Sequence, residues 1–247
     1  MFRPNVADQI HLIKHAAVNC YIIQDGPKVM LVDAGLPSMW KLVLAALREL
    51  GRSPRDISAL VLTHGHFDHV GFAARLQQDL DVPVYVHPED AYLAAHPYRY
   101  KHEKNRLLYP VRYPRSIPVL ARMSLAGALN VKGVSDLRTL DAESAGTLPG
   151  RPELLHTPGH TQGHCALHFS ERGTVLTGDS LVTLDPYTGA SGPQIVSAAA
   201  TADTHLALKS LDVLAGTGAE TALPGHGLPY YGSIAAAVQE ARQHGAT

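Results

Sequence analysis

The sequence predicts a four-layer αββα sandwich, two β-sheets face to face with helices outside, and three observations predict it. Short apolar runs of strand length fall in two groups, one in each half of the chain. Each group is trailed by segments of helical periodicity. The 247 residues, 45% hydrophobic and only 17% charged, suffice to bury such a double layer within one domain spanning 1–247.

In the first half, Ile10 to Ile13, Val18 to Ile23 and Val29 to Val32 read as consecutive strands, parted at Gly26-Pro27 and closed by Asp33-Ala34-Gly35. Ser38 to Leu50 places Leu42, Ala45, Ala46 and Leu50 on one helical face and stops at Gly51. Leu60 to Thr63 is a buried strand, Val70 to Leu80 a helix, Val84 to Val86 a strand, and Pro88 to Ala95 a helix opening on a favoured proline. Pro97 to Lys132 breaks the alternation with four of the ten tyrosines, eight Lys/Arg and one acid, Glu103, and reads as an insertion rather than a core layer. Leu137 to Leu140, Glu153 to His156, Ala166 to Phe169 and Thr174 to Thr177 form the second group of strands. A helix from about Ala198 to Leu214, a strand at Thr221 to Leu223 and a helix from Ile234 to His244 complete the pattern.

A formal net charge of −1 offers no global attraction to nucleic acid or to an anionic membrane. No apolar run approaches the ~18 residues of a membrane span, and Met1 to Asn5 lacks the regions of a leader, so a cytoplasmic protein is expected. Cys20 and Cys165 form no C-x-x-C pair and no disulfide framework, which fits a reducing compartment.

Among 15 histidines, three stand in Thr63-His64-Gly65-His66-Phe67-Asp68-His69, four metal-binding side chains in six positions directly after a strand. At this composition an H-x-H-x-D-H arises by chance with a probability of roughly three in a thousand. One tight loop cannot surround a cation, and two cations need about six to eight ligands, so others must converge on it. His160 in Thr157-Pro158-Gly159-His160, Asp179 in Thr177-Gly178-Asp179 and His226 in Pro224-Gly225-His226-Gly227 answer. Each follows a strand and stands beside glycine, as close backbone approach to a shared centre requires.

In order and separation, these T-H-x-H-x-D-H, T-P-G-H-T, G-D and P-G-H-G motifs resemble the metallo-β-lactamase superfamily, and the resemblance runs from the first strands to the last helix. It implies the metallo-β-lactamase fold and a dinuclear hydrolase. By it, His64, His66 and His160 bind one metal, Asp68, His69 and His226 the second, and Asp179 bridges them. Asp33, in the family's strand-end position, orients ligands without binding metal. Five histidines and two carboxylates without thiolate suit two zinc ions (Zn2+), and iron or manganese can occupy the same donors. Such a pair would generate a bridging hydroxide near neutral pH and polarise a carbonyl, and Asp68 would carry the proton to the leaving group.

The best-known branch of dizinc β-lactamases carries a cysteine ligand where Asp179 stands, which counts against an antibiotic amide as native substrate and leaves β-lactamase-type amide hydrolysis an alternative. Lactonases and glyoxalase II-type thioesterases share the aspartate, so an ester, lactone or thioester carbonyl is the expected target. The lactonase tyrosine three residues beyond is Val182 here, and Tyr187 is the candidate to enter the site from the same loop. A phosphodiesterase and an iron-dependent, persulfide dioxygenase-like enzyme are the alternatives, and a metal-stabilised binding module without turnover a third. The Pro97 to Lys132 segment follows the first motif where relatives commonly cover the metal mouth. Its Arg99, Lys101, Lys104, Arg106, Arg112, Arg115 and Arg122 would favour a small carboxylate- or phosphate-bearing substrate, Arg112 and Arg115 being the pair to substitute, with a solvated or dimer-forming surface as its other reading. His164 and His168 read as supporting or packing residues, and Cys165 as a small buried one.

Overall fold

Successive side chains on a strand point to opposite faces, so a strand whose residues are all buried must be covered twice. A computed structural model, describing residues 1–247, shows how. One sheet runs in chain order: β1 (Phe2–Ala7), β2 (Ile10–His15), β3 (Val18–Asp25), β4 (Lys28–Val32), β5 (Ile57–Val61), β6 (Val84–Val86) and β7 (Leu137–Thr139). The second has the order β14-β13-β10-β9-β8, from β8 (Glu153–His156), β9 (Cys165–Phe169), β10 (Thr174–Gly178), β13 (Thr221–Pro224) and β14 (Tyr230–Tyr231). A separate ribbon pairs β11 (Val182–Leu184) with β12 (Ser191–Gln194).

The alternation distributes the strands among three cores. Ile23, Met30 and Val61 of the first sheet meet Leu167, Leu176 and Leu223 of the second in a core between the sheets. Their neighbours Ile22, Leu31 and Leu60 face outward onto α1 (Trp40–Glu49) and α3 (Ala73–Leu80). On the far side, Ala166, Val175 and Ala222 face α8 (Thr204–Ala215) and α9 (Ile234–His244). This is the αββα sandwich the sequence predicts. No helix is long and apolar enough to cross a membrane.

Several elements differ from the sequence expectation. The buried face of α1 is Trp40, Val43, Ala46 and Leu47, and Ala45 is exposed. The Val70 to Leu80 helix is two pieces, α2 (Phe67–Val70) and α3, because Gly71 presses onto the Gly35 carbonyl and donates to it at 2.8 Å. A Cβ at Gly71 would stand 2.2 Å from that oxygen. Pro88–Asp90 is a 3-10 turn before the short α4 (Ala91–Ala95).

The 97–132 segment is not merely an insertion over the surface. It forms α5 (Tyr109–Arg112) and α6 (Ile117–Met123), and its Val119, Met123, Ala126, Ala128 and Val131 complete the core on α1. Apolar residues between charged ones at helical spacing gave it this second, packed face. Strands β1, β11, β12 and β14 and helix α7 (Ala142–Thr147) are additions to the sequence reading. The expected helix from Ala198 begins only at Thr204, where the Asp203 side chain caps Leu206 N–H at 2.8 Å.

Candidate metal centre

Strand direction decides where the site lies. β4 and β5 are parallel neighbours, so their C-terminal ends put Asp33 beside the loop that starts at Thr63. β10 and β13 are parallel neighbours as well, which puts Asp179 beside His226. β8 and β10 are both antiparallel to β9, so β8 runs the same way and delivers His160 to the same edge. Five strand ends thus meet at one rim of the sandwich. Gly225 allows the closest approach, for a Cβ there would lie 2.2 Å from Asp179 Oδ1.

The structure brings together all seven residues read as ligands, none more than 6% exposed. Three trios, His64/His66/His160, His64/His69/Asp179 and Asp68/His69/His226, each offer ligand atoms within 4.8 Å of one another. Asp179 is central: its Oδ2 lies 3.2 Å from His226 Nε2 and 3.4 Å from His160 Nε2, and its Oδ1 3.5 Å from His69 Nε2. His64, His66 and His160 meet edge to face, at 74° to 82°, which aims in-plane lone pairs at a common point. A further cluster, His87, Glu89 and His156, lacks this convergence, since its two rings are stacked at 14° and their lone pairs run side by side.

Outer hydrogen bonds fix which ring nitrogen faces inward. His69 Nδ1 donates to Asp33 Oδ2 at 2.8 Å and His226 Nδ1 to the Ala17 carbonyl at 2.8 Å. Thr63 Oγ1 gives its proton to Asp33 and therefore accepts from His64 Nδ1 at 3.1 Å. Thr201 Oγ1 gives its proton to the Val196 carbonyl and accepts from His160 Nδ1 at 3.2 Å. In all four, Nδ1 is engaged outward and Nε2 is the nitrogen turned to the centre. Asp33, held at φ +62°, reaches both halves of the site, directly at His69 and through Thr63 at His64. His164 does more than pack: its Nε2 accepts the Asp179 N–H at 2.9 Å. His168, buried, pairs with Glu153 at 3.2 Å.

Electrostatics divide the set. Burial drives His64 well below the ordinary histidine range, and His66 and His160 down to about 3. Burial also opposes a charge on His69 and His226, but carboxylates outweigh it: Asp33 and Asp179 raise His69, and Asp179 with Asp68 takes His226 to about 10. Burial likewise opposes the Asp179 charge, and His226 and His69 overcome it and hold this carboxylate low.

A narrow cavity over the site is walled by Phe67, Tyr100, Pro186, Tyr187 and Val196, with Asp68 at its edge. Tyr187 lines this cavity and packs against the cluster of Val182, which is buried on β11. Arg112 and Arg115 do not line this cavity. Arg112 lies along a separate surface hollow with Tyr109 and Thr247, and the Arg115 backbone packs where a Gly189 Cβ would point. The cation that reaches the cavity wall is Arg106, whose Nη1 donates to Tyr100 Oη at 2.6 Å; Tyr100 Oη is 3.1 Å from Tyr187 Oη. Asp90 and Thr201 escaped the sequence reading, whereas Tyr100 and Arg106 entered it as members of the segment marked for its tyrosines and cations.

Residues 14–226 match the family model of the metallo-beta-lactamase superfamily. The probable metallo-hydrolase YflN of Bacillus subtilis (strain 168) is 30% identical over 242 residues, covering 92% of this chain and 86% of that protein. Among solved structures, the metallo-beta-lactamase family protein TTHA1429 of Thermus thermophilus superposes with a TM-score of 0.69 at 25% identity, over 96% of this chain and 79% of that one. TTHA1623, solved in a di-iron-bound form, superposes with a TM-score of 0.63 at 27% identity, over 91% of this chain and 95% of that one. Motifs, sandwich and convergent donor set agree with these matches, and the chain belongs to the metallo-beta-lactamase superfamily.

Proposed function

We propose that the chain is a dinuclear metal-dependent hydrolase acting on an ester, lactone or thioester carbonyl. The observation that carries this reading is a set of three buried atoms, His64 Nε2, His69 Nε2 and Asp179 Oδ1, that lack a hydrogen-bond partner in a trio whose ligand atoms lie within 4.8 Å of one another. A buried polar atom without a partner costs about 1–3 kcal/mol, so three would offset a sizeable part of the roughly 5–15 kcal/mol by which a domain is stable. Cations satisfy such donors. His64, His66 and His160 would hold one ion, Asp68, His69 and His226 the other, with Asp179 between. The donors suit zinc, and the di-iron-bound relative keeps iron as the competing metal.

Two bound ions would acidify a water and polarise a carbonyl oxygen. Asp68, with Oδ2 3.3 Å from His226 Nε2 at the cavity edge, is placed to take a proton from the attacking water and return it to the leaving group. Arginine only donates, so Tyr100 Oη accepts from Arg106, and the hydroxyl pair it forms with Tyr187 has one proton to offer a substrate oxygen. Phe67, Pro186 and Val196 give the cavity an apolar side. Neither cysteine competes as a nucleophile: burial pushes the Cys165 thiol up to about 12 and raises Cys20 as well.

Elemental analysis, alongside turnover of lactones, thioesters, a phosphodiester and a cephalosporin, tests the reading. About two zinc ions per chain, with carbonyl hydrolysis that collapses in Asp179→Ala, supports it. Iron with oxygen uptake and no hydrolysis replaces it with the oxidative alternative.

A further inference from the structure

Asp90 is a buried carboxylate beside the centre that none of this chemistry uses. It is 1% exposed and ends the turn that leads into α4. Its Oδ2 accepts from Gly65 N–H at 2.8 Å and from Thr161 Oγ1 at 2.8 Å, and its Oδ1 accepts from Gly163 N–H at 2.8 Å. Gly65 stands between His64 and His66, and Thr161 and Gly163 directly follow His160. The three rings of one half of the centre therefore come from two loops distant in sequence, and a single carboxylate ties both loops together. The other half has no bond to it: His69 is anchored on Asp33 and His226 on the Ala17 carbonyl.

We propose that Asp90 is the positioning residue of the His64/His66/His160 half of the centre, holding two ligand loops at the spacing at which three imidazoles share one cation. The inference rests on the metal reading above. The residue type follows from the donors. An ionised carboxylate is acceptor-only with about four lone-pair sites, and two of the three groups it meets are backbone N–H groups that cannot turn round and accept. An asparagine of the same shape would have to aim its NH2 at one of the donors, so the loops would part although the volume is unchanged.

Zinc competition against a chromophoric chelator, on the full chain, tests this in two backgrounds. In His226→Ala, which keeps the first trio whole, adding Asp90→Asn should weaken zinc binding by about 10- to 100-fold, the range for groups that orient ligands from behind. In His160→Ala, which keeps Asp68, His69 and His226, the same change should leave affinity unchanged. A general structural role would weaken both alike, and equal loss in both backgrounds, or loss in neither, overturns the proposal. Thr161→Val, which removes one of the three bonds, should show the same selectivity with a smaller loss and serves where Asp90→Asn does not fold. An unsubstituted chain that takes up no zinc or iron sinks the metal reading and this inference with it, whereas two ions bound without the selectivity sinks the inference alone.

Discussion

The half of the centre formed by His64, His66 and His160 consists of rings that burial keeps neutral, while the half formed by Asp68, His69 and His226 mixes a carboxylate with rings that carry charge in the metal-free chain. Their supports differ too. Hydroxyls of Thr63 and Thr201 steady the first half, and the Asp33 carboxylate and a backbone carbonyl steady the second. A charge-assisted bond is about twice as strong as a neutral one, so the ring of His69 leans on one strong contact where the rings of His64 and His160 lean on neutral hydroxyls and their loops on the Asp90 carboxylate. Equal ligand number thus does not mean equal rigidity or equal response to substitution.

The largest expected effect comes from the residue the halves share. Asp179→Ala should reduce bound metal from about two ions per chain to one or fewer and abolish turnover, read by elemental analysis and a single-substrate assay. Retention of two ions would show that the halves are independent. Asp33→Asn should come next, lowering metal affinity by about 10- to 100-fold where His69 is a ligand and less where the effect must pass through Thr63 to His64. Chelator competition in the two single-trio backgrounds separates these, and equal losses would erase the contrast. Thr201→Val should weaken only the first half, by less than about 10-fold, because it removes one neutral hydrogen bond.

The smallest effect is in proton release. An imidazole must shed its proton before it binds a metal. His226, taken to about 10 by Asp179 and Asp68 against the opposing effect of burial, is protonated near neutral pH, whereas His66 and His160, at about 3 through burial, are not. Zinc loading of the second half should therefore release protons and tighten as pH rises, while loading of the first releases none. Titration in weak buffer with a pH indicator measures both, and equal release would remove the electrostatic side of the comparison.

How far the sequence reads into this architecture depends on how local each signal is. The seven convergent residues were legible because ligand types at strand ends beside glycine leave a mark within a few positions, as in His64-Gly65-His66 and Pro224-Gly225-His226. The two sheets were legible because fully buried strands are apolar throughout. The segment from Ala198 to Ala202 misled, since alanine favours helix, yet Ala202 N–H and Asp203 N–H are spent on the His160 and Gly159 carbonyls and Thr201 is spent on His160. Composition marks the 97–132 segment as basic without saying which of its side chains turns toward the cavity, and Arg112 and Arg115 do not line it.

By itself, then, the sequence determined the sandwich and the set of histidines and carboxylates that converge at its rim, because periodicity and residue type are properties of the chain in its own neighbourhood. Only the tertiary structure decided that Asp33 serves both halves, that Asp90 ties the loop of His64 and His66 to that of His160, and that Arg106 backs the tyrosine pair. Each of these depends on two segments far apart in the chain meeting at hydrogen-bond distance, and parallel strand pairing, not any local pattern, brings those segments to one rim.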